Sequence, residues 1–291
     1  MVVRSRPQMG RPDMNPETVS RAAVLDHNAR AWDRLAAAGV ELTRPAADEA
    51  FADARSWLGT GGPAGRPWIP ERLDGLEVLC LAAGGGKHGP IYAAAGGRVT
   101  VVDLSGAMLA LDRQVARERR IDLEIVQTSM DDLAMLGAGR FDLVIHPVST
   151  CYIPDVGAVF AAVAFVTKSQ GLYISQHKSP PSLQAGVGPN ASGRYELRYP
   201  QGSREPLPPE PPSRLREAGT QEFVHPLSAL LGGICRAGFA IEDVSEPDHA
   251  WPGAEIGSFA HRAAFLPPYI RVLARRIGGP AAAPRIVLLQ Q

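Results

Sequence analysis

The order of apolar and polar residues predicts that most of the chain alternates between strands and helices. Five short runs are apolar on both faces, which is typical of strands in a sheet that is covered on two sides. These runs are residues 77–82, 98–103, 123–127, 141–146 and 171–176. Stretches with helical spacing follow them, for example at 105–120 and 155–167. Strands and helices that alternate in this way, joined by right-handed crossovers, predict a doubly wound α/β domain with a parallel sheet.

The residues before the first strand predict helices. Over 18–38, apolar positions recur at spacings of three and four, and Gly39 is a plausible stop signal. A second helix is expected at 46–57, before a loop rich in glycine and proline. These helices would lie outside the alternating part of the chain.

The alternation of predicted strands and helices is interrupted after the fifth strand. Residues 179–219 are rich in Pro, Gly and Ser, and a loop of this length within a domain is usually a lid, a binding loop or disordered. A helix at 226–237 and strands at 239–245 and 269–275 then follow. The predicted organisation is a flexible leader at 1–16, a helical cap at 17–70, an α/β domain at 71–276 with an insertion at 179–219, and a tail at 277–291.

Composition and charge narrow the classes of function. The 291 residues are 45% hydrophobic and 21% charged, as in globular domains, and 30 basic residues balance 30 acidic ones. Zero net charge argues against a protein that binds nucleic acid or acidic membranes. The longest apolar run, at 158–166, is too short to span a membrane. The three cysteines, Cys80, Cys151 and Cys235, are widely separated, which predicts no disulfide framework and favours a cytoplasmic location. The histidines are scattered along the sequence, which predicts no metal site.

A glycine-rich turn carries the chemical signal. The strand over 77–82 runs into Gly84, Gly85 and Gly86, which a helix follows at once. Glycines let a ligand approach the backbone closely, and an acid that ends the next strand, here Asp103, can accept hydrogen bonds from ribose hydroxyls. The combination predicts a ligand that contains a nucleoside. Spacing alone leaves a nicotinamide dinucleotide open, because Gly84, Gly86 and Gly89 also satisfy GxGxxG.

The same region resembles a known family. Residues 78–105, VLCLAAGGGKHGPIYAAAGGRVTVVDLS, are similar to the cofactor-binding region of class I S-adenosylmethionine-dependent methyltransferases, in particular a bacterial subgroup whose first motif reads LASGGG. Segments at 27–45, 141–155, 224–247 and 261–276 extend the resemblance over most of the chain. The resemblance implies a Rossmann-like fold: a doubly wound, mostly parallel sheet with an antiparallel last strand and an N-terminal helical cap.

The resemblance also implies roles for individual residues. Those that would contact S-adenosylmethionine are Ala82 and the turn Gly84, Gly85 and Gly86 on the methionine and ribose side, Asp103 on the ribose hydroxyls, Leu104 and Met108 against adenine, Met130 through its backbone N–H, and His146 beside the sulfonium.

Three positions depart from the family pattern. Cys80 replaces the usual acid at the start of the first motif, and Ala82 replaces its first glycine. Ser129 stands where the acid that accepts from the adenine amino group is usual. A serine hydroxyl can also accept, and Asp131 or Asp132 is an alternative acceptor.

Catalytic candidates follow the fourth and fifth strands. Methyl transfer is an in-line displacement that requires alignment and sometimes a base. His177 is our first choice for a base or substrate ligand, with a structural hydrogen bond as the alternative, and His146 is either a base or an orienting residue. Tyr152 would bind the substrate or cover the cofactor. Lys178 would bind a carboxylate or be a solvated charge.

The sequence therefore predicts an S-adenosylmethionine-dependent methyltransferase that acts on a small molecule of specialised metabolism, with no nucleic-acid or membrane partner. Three alternatives stay open. One is a cyclase or lyase that consumes S-adenosylmethionine and releases methylthioadenosine, and another is a nicotinamide-dependent oxidoreductase. The third is a non-catalytic partner protein that binds the cofactor without turnover.

Overall fold

One seven-stranded sheet forms the centre of the fold in the part of the chain that the structure describes. The computed structural model describes residues 20–278 except 60, 64 and 212. The strands are β1 (Glu77–Leu81), β2 (Arg98–Asp103), β3 (Leu123–Gln127), β4 (Phe141–His146), β5 (Thr167–Lys178), β6 (Phe239–Ser245) and β7 (Tyr269–Arg276). Their order across the sheet is β3-β2-β1-β4-β5-β7-β6. Strands β1 to β5 are parallel, and β7 is antiparallel to both of its neighbours, β5 and β6. The predicted Rossmann-like sheet with an antiparallel last strand is confirmed.

Helices cover both faces of this sheet. The α-helices of the described residues are α1 (Arg21–Ala37), α2 (Glu49–Ala52), α3 (Ala54–Leu58), α4 (His88–Ala94), α5 (Gly106–Arg119), α6 (Val156–Val166), α7 (Pro180–Gln184), α8 (Leu227–Arg236) and α9 (Phe259–Ala263). Helices α4 and α5 lie on one face, and α6 and α8 lie on the other. Successive residues of β1 point to opposite faces, so Leu79 and Leu81 pack in the core under α6 and α8. Val78 and Cys80 pack in the core under α4 and α5. The central strands are therefore apolar on both faces because both faces are buried.

Two predicted elements differ from the structure. The helix expected at 46–57 is divided into α2 and α3, because Asp53 leaves the helical backbone region (φ −143°, ψ 79°) and its side chain accepts the Ser56 N–H instead. Strand β5 has 12 residues and begins at Thr167 rather than at residue 171. Its pairing with β4 contains a bulge after Thr167, which places the polar residues 168–170 in an irregular stretch.

Helix α1 is a cap that lies across the carboxyl ends of the strands. Three of its side chains bind loops that follow β2, β3 and β4. The pairs are Asp33 with the Ser105 hydroxyl (2.6 Å), Arg21 with Asp131 (2.5 Å) and Asn28 with the Tyr152 carbonyl (2.9 Å). Because parallel strands end at the same edge, these contacts place α1 over the edge where α/β sheets bind ligands.

The leader predicted at 1–16, and the tail beyond residue 278, lie outside the described residues. The described residues contain no helix with both the length and the apolar character that crossing a bilayer requires.

Candidate functional site

The glycine turn lies between β1 and α4 and is too tightly packed for larger residues. A Cβ atom built on Gly84 would lie 2.9 Å from the Met108 Cβ and 3.0 Å from an Asp103 carboxylate oxygen. Gly85 and Gly86 both have positive φ, at 110° and 71°, which disfavours any other residue. The structure thus brings the predicted residues 84–86, Asp103 and Met108 into one place.

Asp103 connects this turn to the end of β2. One carboxylate oxygen accepts the Gly84 N–H (2.9 Å) and the other accepts the Ser105 N–H (2.9 Å). Burial raises the pKa of Asp103, the two N–H donors oppose that rise, and the Asp33 carboxylate adds to it. A carboxylate has about four lone-pair sites, so Asp103 retains acceptor capacity for two hydroxyl groups of a ribose.

Asp112 of α5 is a residue of this site that the sequence did not reveal. Its fully buried carboxylate accepts the N–H groups of Gly85 (2.8 Å) and Gly86 (3.1 Å). The three glycine N–H groups are therefore bound by two carboxylates. A pyrophosphate would have to displace those carboxylates and would be repelled by them, whereas a cationic ligand would be attracted. The turn fits the positively charged S-adenosylmethionine better than a nicotinamide dinucleotide.

The residues after β3 form the predicted adenine side. The Ser129 hydroxyl donates to Asp131 (2.5 Å), and the Arg21 guanidinium binds the same carboxylate. Although burial raises the pKa of Asp131, its bonds to Arg21 and Ser129 hold it below the ordinary value. Met130 directs its sulfur toward the Ser149 hydroxyl at 3.7 Å. Ser129 and Asp131 thus form one hydrogen-bonded pair beneath the cap.

Both candidate histidines are buried and use both ring nitrogens. The ring of His146 lies between the Tyr173 hydroxyl (2.8 Å) and the Ser149 hydroxyl (2.6 Å). The ring of His177 lies between the Thr150 and Ser175 hydroxyls, at 2.9 Å each. Burial lowers the pKa of each to about 3. This geometry favours an orienting role for His146 and structural hydrogen bonds for His177, the alternatives that the sequence left open.

These histidines should make the fold sensitive to acid. Their folded-state pKa lies below the ordinary value of 6.5, so the unfolded chain binds protons that the folded protein does not. Stability is therefore present above pH 6.5 and lost as the pH falls from 6.5 toward 3. We expect one such histidine to cost about 2 kcal/mol of unfolding free energy between pH 6.5 and 4.5. Urea unfolding at several pH values gives the unfolding free energy as a function of pH. This free energy should fall less steeply with decreasing pH in His177→Gln than in the wild type, and an unchanged pH dependence would contradict this account.

Tyr152 joins the cap to the insertion. Its hydroxyl donates to Glu217 (2.6 Å), and its ring packs edge-on against Trp32 of α1, with centroids 5.5 Å apart. Burial, followed by the charge of Glu217, raises the pKa of Tyr152 well above its usual value. The phenol is thus a neutral donor that holds two covering segments together.

A buried ionic cluster lies beside Tyr152. The Lys178 ammonium donates to Glu217 (2.5 Å), to Glu222 (2.6 Å) and to the carbonyl of Leu215 (2.8 Å). Arg216 contacts the other oxygen of Glu222. Burial lowers the pKa of Lys178, but the neighbouring acidic groups raise it by more than burial lowers it. The pKa is therefore above its ordinary value, and the amine is charged. Lys178 is therefore neither a solvated charge nor a free carboxylate-binding group, because Glu217 of the insertion and Glu222, just after it, already neutralise it.

Comparisons with known proteins show the family to which the chain belongs. A family model described as a methyltransferase domain matches residues 79–175. The chain is 32% identical to the uncharacterized methyltransferase YbaJ of Bacillus subtilis over 227 residues, which cover 75% of this chain and 89% of that protein. It is 29% identical to a ubiquinone biosynthesis O-methyltransferase of Azotobacter vinelandii over 184 residues, which cover 61% of this chain and 71% of that protein.

Solved structures share the fold. A crystal structure of an S-adenosylmethionine-dependent methyltransferase from Mesorhizobium loti superposes with a TM-score of 0.56 at 22% identity, covering 78% of this chain and all of that one. A geranyl diphosphate C-methyltransferase from Streptomyces coelicolor superposes with a TM-score of 0.55 at 16% identity, covering 87% of this chain and 98% of that one.

Proposed function

The chain belongs to the S-adenosylmethionine-dependent methyltransferases, and from this premise we propose that it methylates a small-molecule acceptor at the edge of the sheet beneath α1. The observation that carries the proposal is the glycine turn closed by Asp103 and Asp112. The family membership selects methyl transfer over the nicotinamide-dependent alternative, and the two carboxylates at the turn favour the same choice.

The predicted contacts define how the chain would hold the cofactor. Asp103 would accept from the ribose hydroxyls while Ala82 and the glycine turn follow the methionine side. Leu104, Met108, Ser129 and Met130 would enclose the adenine. When bound, the cofactor supplies an electrophilic methyl group on a positively charged sulfur. The negative charge of the turn would stabilise that positive charge at low dielectric.

Positioning carries the reaction that we propose. His146 and His177 are neutral and fully hydrogen-bonded, so they would fix the shape of the pocket rather than remove a proton. Tyr152 and Trp32 would close it above. Holding an acceptor in line with the methyl group, with water excluded, supplies much of the rate in such a displacement.

We expect the apolar residues around Tyr152 to form walls of the acceptor site, which would favour an acceptor with an apolar body. Tyr152 belongs to a buried apolar cluster with Leu183 and Leu207, against which Trp32 and Tyr199 pack. A phenol is compatible with these walls, and the relatives named ubiquinone biosynthesis O-methyltransferase are compatible with it too. The three unpaired cysteines support action in the reducing cytoplasm.

Calorimetry and product analysis test this function. We expect the protein to bind S-adenosylmethionine and S-adenosylhomocysteine, and to bind NAD weakly or not at all. Turnover with a panel of phenols should yield S-adenosylhomocysteine by mass spectrometry. Methylthioadenosine as the product would favour the cyclase or lyase alternative. Binding of NAD without binding of S-adenosylmethionine would contradict the proposal.

Asp103→Ala should weaken cofactor binding by about 10- to 100-fold, because lost hydrogen bonds to a charged acceptor cost about 1–3 kcal/mol. Asp142→Ala is a matched control, since Asp142 also accepts a backbone N–H, that of Glu77, but at the opposite edge of the sheet. Calorimetric titration with S-adenosylmethionine measures both variants. Equal affinities for the Asp103→Ala variant and the control would remove Asp103 from the ribose site.

A further inference from the structure

Asp112 lies directly beneath the glycine turn and is wholly buried. It follows Met108 by one turn of α5, so the same face of the helix presents a thioether and a carboxylate to the turn. The carboxylate binds the Gly85 and Gly86 N–H groups with one oxygen each. Two consecutive peptide groups of the turn are thus oriented by a single side chain.

This carboxylate has no ion pair within the part of the chain that the structure describes. Its partners are backbone N–H groups, and the charged group that acts on it most strongly is a second carboxylate, Asp103. A buried carboxylate without a cation costs free energy, and a neighbour of like charge increases that cost. The turn therefore carries excess negative charge that a bound cation would neutralise.

We propose that ionised Asp112 is a positioning residue for cofactor binding: it holds the turn in its binding conformation and supplies charge that the cationic cofactor neutralises, so that binding releases a proton. This inference rests on the proposed function. It adds a role for a residue that contacts the turn rather than the reacting atoms.

Of the titratable groups around Asp112, only the carboxylates of Asp103 and Asp112 are expected to change their protonation in the pH range of the test below. On β1, burial raises the pKa of the Cys80 thiol, and the Asp112 charge raises it further. On α4, burial lowers the pKa of His88 to about 4, so this ring is neutral, and the adjoining Lys87 ammonium is bound to a carbonyl of the cap. Asp103 on β2 has a raised pKa, and burial raises that of Asp112 to about 7.

The direction of the pH effect follows from these groups. As the pH falls through about 7, Asp112 takes up a proton, and the neutral acid binds two N–H donors less well than the carboxylate does. A bound cation favours the carboxylate and lowers its pKa. Affinity for S-adenosylmethionine should therefore rise with pH and level off above 7.

Calorimetric titration with S-adenosylmethionine from pH 5.5 to 8.5 tests the proposal. The wild type should bind about tenfold more tightly at pH 8.5 than at pH 5.5 and, near pH 7, should release protons, as measured in two buffers of different ionisation enthalpy. Asp112→Asn should weaken binding at pH 8 by tenfold or more and remove most of the pH dependence. The matched control Asp142→Asn should behave as the wild type does.

Wild-type affinity and pH dependence in Asp112→Asn would overturn the inference. If circular dichroism shows that this variant does not fold, the test passes to Asp112→Ser and to the wild type, where the absence of proton exchange on binding would also overturn it. A wild type that binds no S-adenosylmethionine at any pH would contradict the proposed function instead, so the two failures are distinguishable.

Discussion

Replacing Gly84 by valine is expected to abolish binding of S-adenosylmethionine. Even the first carbon of the new side chain would lie 2.9 Å from the Met108 Cβ and 3.0 Å from an Asp103 carboxylate oxygen. Real Cβ atoms essentially never lie as close as 2.9 Å to another heavy atom, so the turn or α5, which carries Met108, must shift, and the contact with Asp103 is tight as well. A shift of the turn would disturb the hydrogen bond between the Gly84 N–H and Asp103, and the outer carbons of valine would fill the space that a ligand needs. Calorimetry should show at least a 100-fold loss of affinity in Gly84→Val.

Gly188→Val is the matched control for this variant. A Cβ atom at Gly188 meets no atom within 4 Å, and its φ lies outside the left-handed region, so we expect wild-type affinity. Gly84→Ala should show an intermediate loss and serves as the test if circular dichroism reports that Gly84→Val is unfolded. Tight binding by Gly84→Val would refute the assignment of this turn to the cofactor.

Removing the Lys178 ammonium is expected to lower the free energy of unfolding by about 3–5 kcal/mol, because its loss leaves buried carboxylates without their main cation. Glu222 is wholly buried and Glu217 nearly so, and Lys178 itself is only 4% exposed. Burial and the neighbouring Glu217 already raise the pKa of Glu222 to about 7 with the lysine present. Urea unfolding of Lys178→Ala at pH 8 measures the loss.

The control for this variant is Lys168→Ala, since Lys168 pairs with Asp142 at 2.7 Å but is 40% exposed. An exposed ion pair contributes at most about 1 kcal/mol. The loss in Lys178→Ala should also shrink at pH 5.5, where protonation of Glu222 relieves the uncompensated charge. A loss no larger than that of the control at pH 8 would show that the cluster contributes little to stability.

The sequence pattern predicted the fold well where local and tertiary requirements agree. The boundaries of β2, β3, β4 and β6 match the predicted runs because each run is short and bounded by turn residues. The predicted start of β5 was wrong. Lys168, Ser169 and Gln170 are polar, and because their pairing with β4 is irregular, the sequence there shows no alternation of apolar and polar residues. A bulge depends on the partner strand, which a local pattern does not contain.

The candidate site shows the same division. The glycine turn and Asp103 were found because they lie within one strand–turn–helix–strand unit, whose spacing is visible in the sequence. Asp112 was missed because one polar residue on a helix looks like a solvated residue until the helix is packed against the turn. Glu217 and Glu222 were missed because their partner, Lys178, lies on a distant strand. Glu217 ends a proline-rich insertion and Glu222 follows it by a few residues, so the local sequence offered no signal of burial.

The placement of β7 has a consequence for how the chain matures during translation. Strand β6 is synthesised before β7, yet among the described strands it hydrogen-bonds only to β7, which lies between it and β5. Until Tyr269–Arg276 has left the ribosome, β5 is an unpaired edge strand of the nascent sheet, and β6 has no strand to pair with. The sheet therefore cannot be completed until almost the last of the described residues has been synthesised. A nascent chain whose synthesis stops before β7 would expose unpaired strand edges and be prone to aggregate.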